Sequence, residues 1–461
     1  MRIRFLGHYL YVPVLMLGLI EALAILCAHF VASRFVPSSV GHSRFLCASG
    51  LLVSACAFLS LVTMGLYCQR LRERIDGIVL RLTVGLFLSG FTARLLSLIF
   101  LDHWIAAPIL AGTLALSWIL LLCTRLLAQN LMNGELFKRR VLVLGSGRRA
   151  VWILQLRRRT DRRGFRVVGF VPIAGDATAV PSEHLIETPK CLLEYARKHG
   201  IREIVVAMDD RRNNFPFRAL LDCRIAGIGV IELGTFLEQE TGKVFLETVN
   251  PSWLIFGGGF KNNFTRRLFD RTFDIVASTA ILVVGLPLML LVVLAIKIED
   301  GFAAPVMYMQ ERVGQHGRVF SVMKFRSMRL DAEKDGGARW AQARDERVTR
   351  VGFFIRMTRL DEFPQLLNVL IGTMSFVGPR PERPVFVAHL GEEIPFYSER
   401  HSVKPGITGW AQLCYPYGAS DRDALEKLQY DLFYVKNHGL MFDLIILLQT
   451  VEVILFGKGA R

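Results

Sequence analysis

Residues 266–297 read RRLFDRTFDIVASTAILVVGLPLMLLVVLAIK, an apolar run with two arginines before it and Lys297 at its end. The apolar core from Ile275 to Ile296 is close to the ~20 residues that a helix needs to cross a bilayer. Pro287 interrupts its middle. A straight helix would carry everything after Lys297 across the membrane, whereas a helix kinked at Pro287 can enter and return on one side. The flanking charges alone leave both forms open.

Composition sets the class of protein in which this segment lies. The chain has 461 residues, is 52% hydrophobic and carries a formal net charge of +16. A chain this apolar is not disordered, and its basic balance indicates anionic lipid headgroups or phosphorylated substrates before nucleic acid. The eight cysteines include no CxxC pair, which argues against a disulfide scaffold or a zinc ribbon.

Four further apolar stretches precede this segment, and we predict a four-helix transmembrane domain over residues 1–137. Each is near the length of a spanning helix, and they cover approximately residues 9–32, 45–67, 78–101 and 104–127. Basic residues flank them on what we expect to be the cytoplasmic side: Arg2, Arg4, Arg70, Arg72, Arg74, Lys138, Arg139 and Arg140. Arg34 and Arg44 lie in the opposite loop, and Arg81 and Arg94 lie inside the third span.

The pattern changes at Val141, where short β-branched runs alternate with helical lengths. VLVLGSGRRA (141–150) is followed by the strand candidates RVVGFV, IREIVVAM and IGVIEL. This alternation predicts a Rossmann-like parallel α/β domain over 138–255. Gly145, Gly147 and Ala150 form a GxGxxA turn like the dinucleotide fingerprint, but no acidic residue closes the RVVGFV strand to hold a ribose. A tight turn without a ligand is therefore favoured.

The densest polar signals lie further on, in ERVGQHGRVFSVMKFRSM (311–328) and DERVTRVGFFIRMTRLDEFPQLLNVLIGTMSFVGPRPERP (345–384). VKPGITGWAQ and KLQYDLFYVKNHGLMFDLIIL follow them. Together these blocks closely resemble the bacterial sugar transferase family of monotopic phosphoglycosyl transferases, over residues 262–461. With the four helices and the α/β domain added, the whole chain resembles the long, WbaP-like polyprenyl-phosphate sugar phosphotransferases.

The resemblance implies a reaction. Such enzymes move a sugar 1-phosphate from a nucleoside diphosphate sugar, usually a UDP-sugar, to polyprenyl (undecaprenyl) phosphate with release of UMP, and so initiate exopolysaccharide or O-antigen synthesis. The covalent phosphosugar forms on the Asp of an Asp-Glu pair, here Asp361 and Glu362. A carboxylate is ionised at neutral pH and can attack phosphorus. The plainer alternative is that the pair forms the acidic first turn of a helix signalled by Pro364 and stopped near Gly372.

Anionic substrates and an anionic nucleophile require surplus cations. We expect Lys324, Arg326, Arg359, Arg380 and Arg383 to bind the substrate phosphates, with Arg356 a weaker candidate. Arg380 is the strongest of them, because glycine and proline neighbours fix the backbone around it. The resemblance also implies Mg²⁺ at Asp361 and Glu362, with Glu362 chiefly in that role.

The cytoplasmic location of UDP-sugars favours the kinked form of the membrane segment, because a helix that crossed the bilayer would separate Asp361 from its sugar donor. We therefore predict a re-entrant helix at about 272–297 with its break at Pro287, in a multi-pass protein of the bacterial inner membrane whose catalytic domain faces the cytoplasm. Many small family members carry Ser-Pro at the break, whereas Leu286 stands here.

Other motif residues receive structural interpretations. Asp270 and Asp274 are expected to orient the membrane helix through the neighbouring arginines 266, 267 and 271, and Asp431 and Tyr434 to support the fold. Trp410 suits the membrane interface, a substrate face or plain core. The last apolar stretch carries Asp443 and Glu452, which favours an interfacial or core helix over a further crossing.

The sequence argues against two other functional classes. A membrane-anchored nucleotide-sugar dehydratase needs a YxxxK pair, and none of the ten tyrosines has Lys four residues on. A nucleotide-sensing scaffold would not need the acidic pair with its arginines. The sequence does not identify the sugar, although glucose or galactose is preferred. It also does not decide whether the protein forms a homodimer.

Overall fold

A computed structural model describes residues 2–5, 8–35, 43–64, 66–67, 75–101, 104–132, 138–156, 164–173, 176–210, 214–248, 264–329, 347–415 and 420–455. The chain divides into two compact units, Met1–Thr248 and Val249–Arg461. The predicted boundary between the α/β and catalytic domains, at 255–262, and the predicted cytoplasmic arginines at 70, 72 and 74 lie outside the described residues.

The first unit opens with a short antiparallel hairpin and four long helices. The hairpin strands are β1 (Arg2–Phe5) and β2 (His8–Tyr11). The helices are α1 (Val12–Phe35), α2 (Ser43–Thr63), α3 (Ile75–Leu101) and α4 (Ala107–Met132). The four-helix prediction holds, but the first helix begins after the hairpin and not at residue 9. Of these four helices, α1, α3 and α4 are long and apolar enough to span a bilayer, and α2 has the shorter apolar run Leu46–Val62. One more helix of the described residues, Arg266–Asp300 in the second unit, is also long and apolar enough to span.

Three charged residues of this helical bundle, Glu21, Arg81 and Arg125, are buried. Glu21 of α1 pairs with Arg125 of α4 at 2.7 Å, and Tyr67 donates a hydrogen bond to the same carboxylate. Arg81, which the sequence placed inside the third span, is almost fully buried. Arg94 lies 5.6 Å from the centre of the Trp104 ring. Glu21, Arg81 and Arg125 face the bundle interior because a lone charge facing lipid is costly, whereas Arg94 is exposed.

The α/β part of the first unit contains a four-stranded parallel sheet in the described residues. Its strands are β3 (Arg139–Leu144), β4 (Phe165–Val171), β5 (Glu203–Val206) and β6 (Gly229–Glu232), in the order β4-β3-β5-β6. The helices are α5 (Arg148–Leu154), α6 (Leu192–Lys198), α7 (Phe217–Ile225) and α8 (Leu233–Thr241). Val141 packs with α5 and α8, while its neighbour Leu142 packs with α6 and α7. Successive strand residues point to opposite faces, so helices cover both sides of the sheet. The prediction of a parallel α/β domain is confirmed.

The glycine turn after β3 is closed by a carboxylate of the same chain. Gly145 has φ +117°, a conformation that favours glycine. The backbone N–H groups of Arg148 and Arg149 donate to the Asp209 carboxylate at 2.8 and 2.9 Å. A Cβ on Gly147 would lie 2.1 Å from Asp209 Oδ2. These N–H groups are the ones that hold a diphosphate in dinucleotide-binding folds, so the contact supports a tight turn without a nucleotide.

The first described element of the second unit is one long helix, α9 (Phe264–Asp300), of 37 residues. It is followed by the antiparallel pair β7 (Met307–Val313) and β8 (Val319–Phe325) and the parallel pair β9 (Ser375–Val377) and β10 (Gly406–Thr408). The remaining helices are α10 (Arg350–Met357), α11 (Gln365–Ile371), α12 (Pro384–Glu393), α13 (Trp410–Cys414), α14 (Asp421–Asn437) and α15 (Leu440–Leu455). Trp410 is buried against Phe433 and Phe442, so the core interpretation of this residue is the right one.

The first half of α9 is bonded to the core of the second unit. Arg271 donates to the carbonyl oxygens of Val369 and Leu370, at the C-terminal end of α11, at 2.6 and 2.5 Å. Asp274 accepts from the Ser375 hydroxyl at 3.0 Å and the Phe376 N–H at 3.2 Å. The predicted partner of Asp270 is present, since Arg266 lies 3.5 Å from it. Asp274 instead joins α9 to β9.

The second half of α9 is bonded to the same core. Glu299 accepts from the backbone N–H groups of Arg350 and Val351, the first turn of α10, at 2.7 and 2.9 Å. Asp300 pairs with Arg326 at 2.6 Å. Pro287 lies inside the helix without ending it, so the helix is longer than the predicted 272–297. Between these anchored ends, the side chains of Val283, Val284 and Leu290 are exposed.

Candidate active site

The Asp361–Glu362 pair lies in a tight turn between two helices. The turn is a 3₁₀ segment, Leu360–Glu362, which follows α10 and precedes α11. The pair is therefore not the first turn of α11 itself, although that helix does end at Gly372, which has φ +96°. Arg359 enters the turn with φ +61°, which is strained for a residue with a Cβ. Such strain is often held at functional sites, where it fixes side-chain directions.

Phe363, the residue after the pair, packs against the middle of the membrane helix. A Cβ added at Gly285 would lie 2.7 Å from the Phe363 ring, so only glycine leaves room for this contact. Gly285 is two residues before Pro287. The acidic turn is thus positioned directly against the break predicted in α9.

Glu362 is surrounded by three cations. Arg380 donates to Glu362 Oε1 at 2.8 Å, and Lys324 Nζ and Arg359 Nη1 lie 3.6 and 3.8 Å from the same oxygen. Burial alone would raise the pKa of Glu362, but Arg380, Lys324 and Arg359 outweigh it and hold the pKa far below its usual value. Glu362 is therefore ionised at any physiological pH.

Asp361 differs from its neighbour in its electrostatic surroundings. Burial and the adjacent Glu362 charge raise its pKa above the usual value of 3.8, and Lys324, Arg356 and Arg359 oppose this rise. No ion pair joins Asp361 to a cation among the described residues, whereas Glu362 has three. Three cations contact Glu362, and Asp361 is the carboxylate of the pair that they leave unpaired in the described residues.

The loop that carries Arg380 is rigidly packed. A Cβ on Gly378 would lie 2.3 Å from the Lys404 carbonyl oxygen, and a Cβ on Gly406 would lie 2.1 Å from the Gly378 nitrogen. The two backbones can approach this closely because neither residue has a side chain. The Gly406 N–H also donates to the Pro379 carbonyl at 3.1 Å. Lys404 therefore contacts this loop through its backbone carbonyl. The close backbone packing is the structural basis of the predicted rigidity around Arg380.

The structure separates the predicted phosphate ligands. Lys324, Arg359 and Arg380 converge on Glu362, and Arg356 is near enough to lower the pKa of Asp361. The prediction for Arg326 needs correction, because this residue is buried in the ion pair with Asp300. The KFRSM motif suggested that Lys324 and Arg326 are equivalent cations. In the structure β8 ends at Phe325, between the two residues, and the Arg326 side chain contacts the end of α9 instead of the acidic pair.

Arg383 is the N-cap residue that precedes α12, and its charge lowers the pKa of Arg312. No ion pair between Arg383 and Glu362 is present in the described structure. The prediction that Arg383 binds a substrate phosphate therefore stays a prediction.

Two arginines behind the site, the half-buried Arg312 and the buried Arg400, were not singled out from the sequence. Arg312 donates to the Pro381 carbonyl at 3.2 Å, and Arg400 donates to the Arg380 carbonyl at 3.0 Å. Burial, with Arg380 and Arg383 nearby, lowers the pKa of Arg312 to about 10 despite the opposing charge of Glu382. Arg312 lies in the ERVG block, so its motif was a signal; Arg400 stands outside the motifs that the resemblance rested on.

The acidic pair fits a Mg²⁺ ion in donor type but not as a complete cage. Mg²⁺ takes oxygen ligands and is commonly held by one or two carboxylates together with substrate phosphates. Asp361 and Glu362 supply two carboxylates, of which Glu362 Oε1 already contacts three cations. No group of three His, Cys, Asp or Glu residues that could hold a metal is found in the described part of the chain. A metal here would therefore depend on phosphate oxygens.

The helices beside the site expose large apolar side chains. Phe353, Phe354 and Met357 on α10 are 66, 56 and 52% exposed, and Ile371 on α11 is 64% exposed. Contiguous apolar surface of this kind marks a contact with a membrane or a partner. It lies on the two helices that flank the acidic turn.

Comparison with known proteins gives consistent matches. Residues 265–457 match the family model described as bacterial sugar transferase. The chain is 42% identical over 244 residues to the UDP-N-acetylgalactosamine-undecaprenyl-phosphate N-acetylgalactosaminephosphotransferase of Aeromonas hydrophila, covering 53% of this chain and 56% of that protein. It is 34% identical over 338 residues to the UDP-glucose:undecaprenyl-phosphate glucose-1-phosphate transferase of Escherichia coli K12, covering 71 and 70%. It is 30% identical over 357 residues to the undecaprenyl-phosphate galactose phosphotransferase of Salmonella typhimurium, covering 73 and 72%. The chain thus spans about half of the first relative's length and more than two thirds of the other two.

Proposed function

The chain belongs to the bacterial sugar transferase family, and from this premise we propose that it transfers a sugar 1-phosphate from a UDP-sugar to undecaprenyl phosphate, releasing UMP. The transfer proceeds through a phosphosugar carried on Asp361. The observation that carries the proposal is the electrostatic division of the acidic pair: Glu362 holds three cations, while Asp361 stands beside them without a cation of its own.

The cation excess matches the charges that the reaction brings together. Lys324, Arg356, Arg359 and Arg380 carry four positive charges around the two carboxylates. The net surplus is available to the donor diphosphate. Without it, a carboxylate and a diphosphate would repel each other, and arginine donors in a partly buried site are well suited to phosphate oxygens.

In the first step, an Asp361 carboxylate oxygen attacks the phosphorus that bears the sugar. A P–O bond forms to Asp361 as the bridging P–O bond of the diphosphate breaks, and UMP leaves with the bond electrons. The ionised carboxylate needs no base for this step. The raised pKa of Asp361 indicates that few water molecules solvate its carboxylate. Less water therefore has to be displaced before the carboxylate attacks phosphorus.

In the second step, a phosphate oxygen of undecaprenyl phosphate attacks the same phosphorus. The acyl phosphate bond to Asp361 breaks, and the carboxylate is regenerated beside Glu362. Bound Mg²⁺, held by Asp361 and Glu362 together with phosphate oxygens, would supply charge neutralisation at the transferring phosphoryl group. Arg380 and Lys324 keep their positions through Glu362 in both steps.

The membrane helix supports a re-entrant placement of the site. Both ends of α9 bond to the same catalytic core, through Arg271 and Asp274 before Pro287 and through Glu299 and Asp300 after it. A helix that crossed the bilayer with this core on one side could not make both sets of contacts. We propose that α9 enters and leaves on one face, with the apolar residues around Pro287 in the bilayer.

This placement brings the acidic turn to the lipid headgroups, where the acceptor phosphate lies. The exposed Phe353, Phe354 and Met357 side chains give the flanking helix an apolar surface to insert there. We place the catalytic domain on the cytoplasmic face of the bacterial inner membrane, where UDP-sugars are found. The transfer would then begin an exopolysaccharide or O-antigen unit.

The test uses purified full-length protein in detergent with Mg²⁺. Incubated with a UDP-sugar and no lipid acceptor, the protein should gain the mass of one sugar phosphate; adding undecaprenyl phosphate should discharge it and sustain UMP release. A screen of UDP-glucose, UDP-galactose and their N-acetylated amino forms identifies the sugar. Folded protein that releases no UMP from any of them would overturn the proposal.

A further inference from the structure

Behind the acidic pair and its cations lies a second, buried layer of polar side chains. It consists of Arg400 and Tyr397, in the 3₁₀ segment Tyr397–Ser402, and Asp431 in α14. Arg400 is 5% exposed, Tyr397 3% and Asp431 1%. None of the three touches Glu362 in the described structure, yet burying an ion pair is costly unless its geometry is well fixed.

Arg400 distributes its donors over three partners. One guanidinium nitrogen, Nη1, donates to the Tyr397 hydroxyl at 2.8 Å. The other, Nη2, pairs with Asp431 at 2.8 Å and donates to the backbone carbonyl of Arg380 at 3.0 Å. The guanidinium also lies over the Tyr397 ring, 5.2 Å from its centre. A planar fork of donors can serve these directions together, whereas a lysine ammonium cannot.

The third partner connects this layer to the acidic pair. Arg380 is the cation that donates to Glu362 Oε1 at 2.8 Å, through its own Nη2. Its backbone is held by Arg400, and the next carbonyl in the loop, that of Pro381, is held by Arg312 at 3.2 Å. The Val313 N–H donates a hydrogen bond to the Glu382 carbonyl oxygen at 2.9 Å. Three successive carbonyl oxygens of this loop are thus fixed from behind.

We infer that Arg400 is a positioning residue for the transfer: held by Asp431 and Tyr397, it fixes the backbone of Arg380 and so aims that guanidinium at Glu362 and the donor phosphate. Sequence analysis gave Asp431 a structural role, and this inference extends that role to the reaction. The inference rests on the proposed function, because it concerns the efficiency of phosphosugar transfer.

A double-mutant cycle on full-length protein tests the inference through kcat/KM for the UDP-sugar. Arg400→Lys keeps the charge but loses the fork, and it should lower kcat/KM about tenfold, in the range of residues that orient a functional group from behind. In the Arg380→Ala background the same change should cost less than about twofold, because residues that act through one another are not additive. Tyr397→Phe, which removes one hydroxyl and leaves the ion pair, should show the same pattern with a smaller loss.

Arg326→Lys is the matched control. Arg326 is an equally buried arginine of the same unit, paired with Asp300 and without contact to Arg380. Arg326→Lys should lower kcat/KM by the same factor in wild-type protein and in the Arg380→Ala variant. If Arg400→Lys also costs the same factor with and without Arg380, Arg400 is purely structural and the inference is wrong.

Should Arg400→Lys fail to fold, the Tyr397→Phe arm decides between the same two outcomes. Wild-type protein that releases no UMP from any UDP-sugar would instead refute the proposed function. Turnover by the wild type with an additive cycle refutes the inference alone.

Discussion

Two regions of this protein pair a carboxylate with groups suited to anion binding, and they use it in opposite ways. At the GxGxxA turn, Asp209 accepts from the two N–H groups of Arg148 and Arg149 that a diphosphate would otherwise use. At the acidic pair, Glu362 gathers three cations and leaves Asp361 beside them. In the first region the anion site is filled by the chain itself; in the second a positive surplus remains. A phosphate-binding motif therefore has to be judged by the positive charge and N–H donors that groups of the chain itself leave unpaired.

The largest effect that this comparison predicts is at Asp361. Asp361→Asn keeps the shape and removes the nucleophilic charge, so UMP release should fall by at least ~10³-fold. Intact mass spectrometry should show no sugar phosphate on the variant. Asp209→Asn is the matched control, and its activity should stay within about twofold of wild type. Comparable losses in the two variants would erase the distinction between the regions.

The next effect separates cations that face the pair from cations that only looked equivalent in sequence. Arg380→Ala removes the 2.8 Å donor to Glu362 and should lower kcat/KM about 10²-fold, as loss of one oriented donor does elsewhere. Arg326→Gln breaks the pair with Asp300 and should mainly lower the thermal midpoint. The measurement is a kinetic and a melting series on both variants. A larger kinetic loss at Arg326 than at Arg380 would restore the original prediction for KFRSM.

A third prediction concerns the membrane helix. In a Cys-depleted protein in intact cells, cysteines replacing the exposed Phe264 and Phe302, at the two ends of α9, should both be protected from a membrane-impermeant reagent. The reason is that the proposed re-entrant helix begins and ends on the cytoplasmic side. Pro287→Ala favours a straight helix by ~3 kcal/mol and should lower activity about threefold. Labelling at position 302 from outside, with position 264 protected, would establish a spanning helix.

A fourth prediction follows from the raised pKa of Asp361. The protonated acid is not a nucleophile, so turnover should fall as pH decreases through a value above 3.8, the usual pKa of the group. Arg356 lowers this pKa. Arg356→Gln should therefore move the acid limb of the kcat profile to higher pH. An unchanged or lower limb would contradict the assigned contact.

The smallest effect is expected at the glycine turn. Asp209→Ala removes the acceptor for two helical N–H groups and should cost about 1 kcal/mol of stability in the α/β part, as loss of a helix cap does. Thermal unfolding measures this. Binding of NAD by the variant, but not by the wild type, would show that Asp209 excludes a nucleotide and does not merely close the turn.

The sequence alone determined the parts of this protein that repeat or cluster locally. Apolar length gave the four N-terminal helices, alternation of strand and helix gave the parallel sheet, and ordered motifs gave Asp361 and Glu362 within the bacterial sugar transferase family. These signals are local because period, length and motif order are properties of neighbouring residues.

Only the tertiary structure decided which charges meet. Arg380 and Arg326 both stood in promising motifs, but one donates to Glu362 and the other to Asp300. Arg400 lies 20 residues from Arg380 and yet holds its carbonyl, and Asp209 lies 61 residues from the N–H group of Arg148 that it accepts from. Electrostatic partners are set by distance in space and by burial, which the order of residues along the chain does not encode.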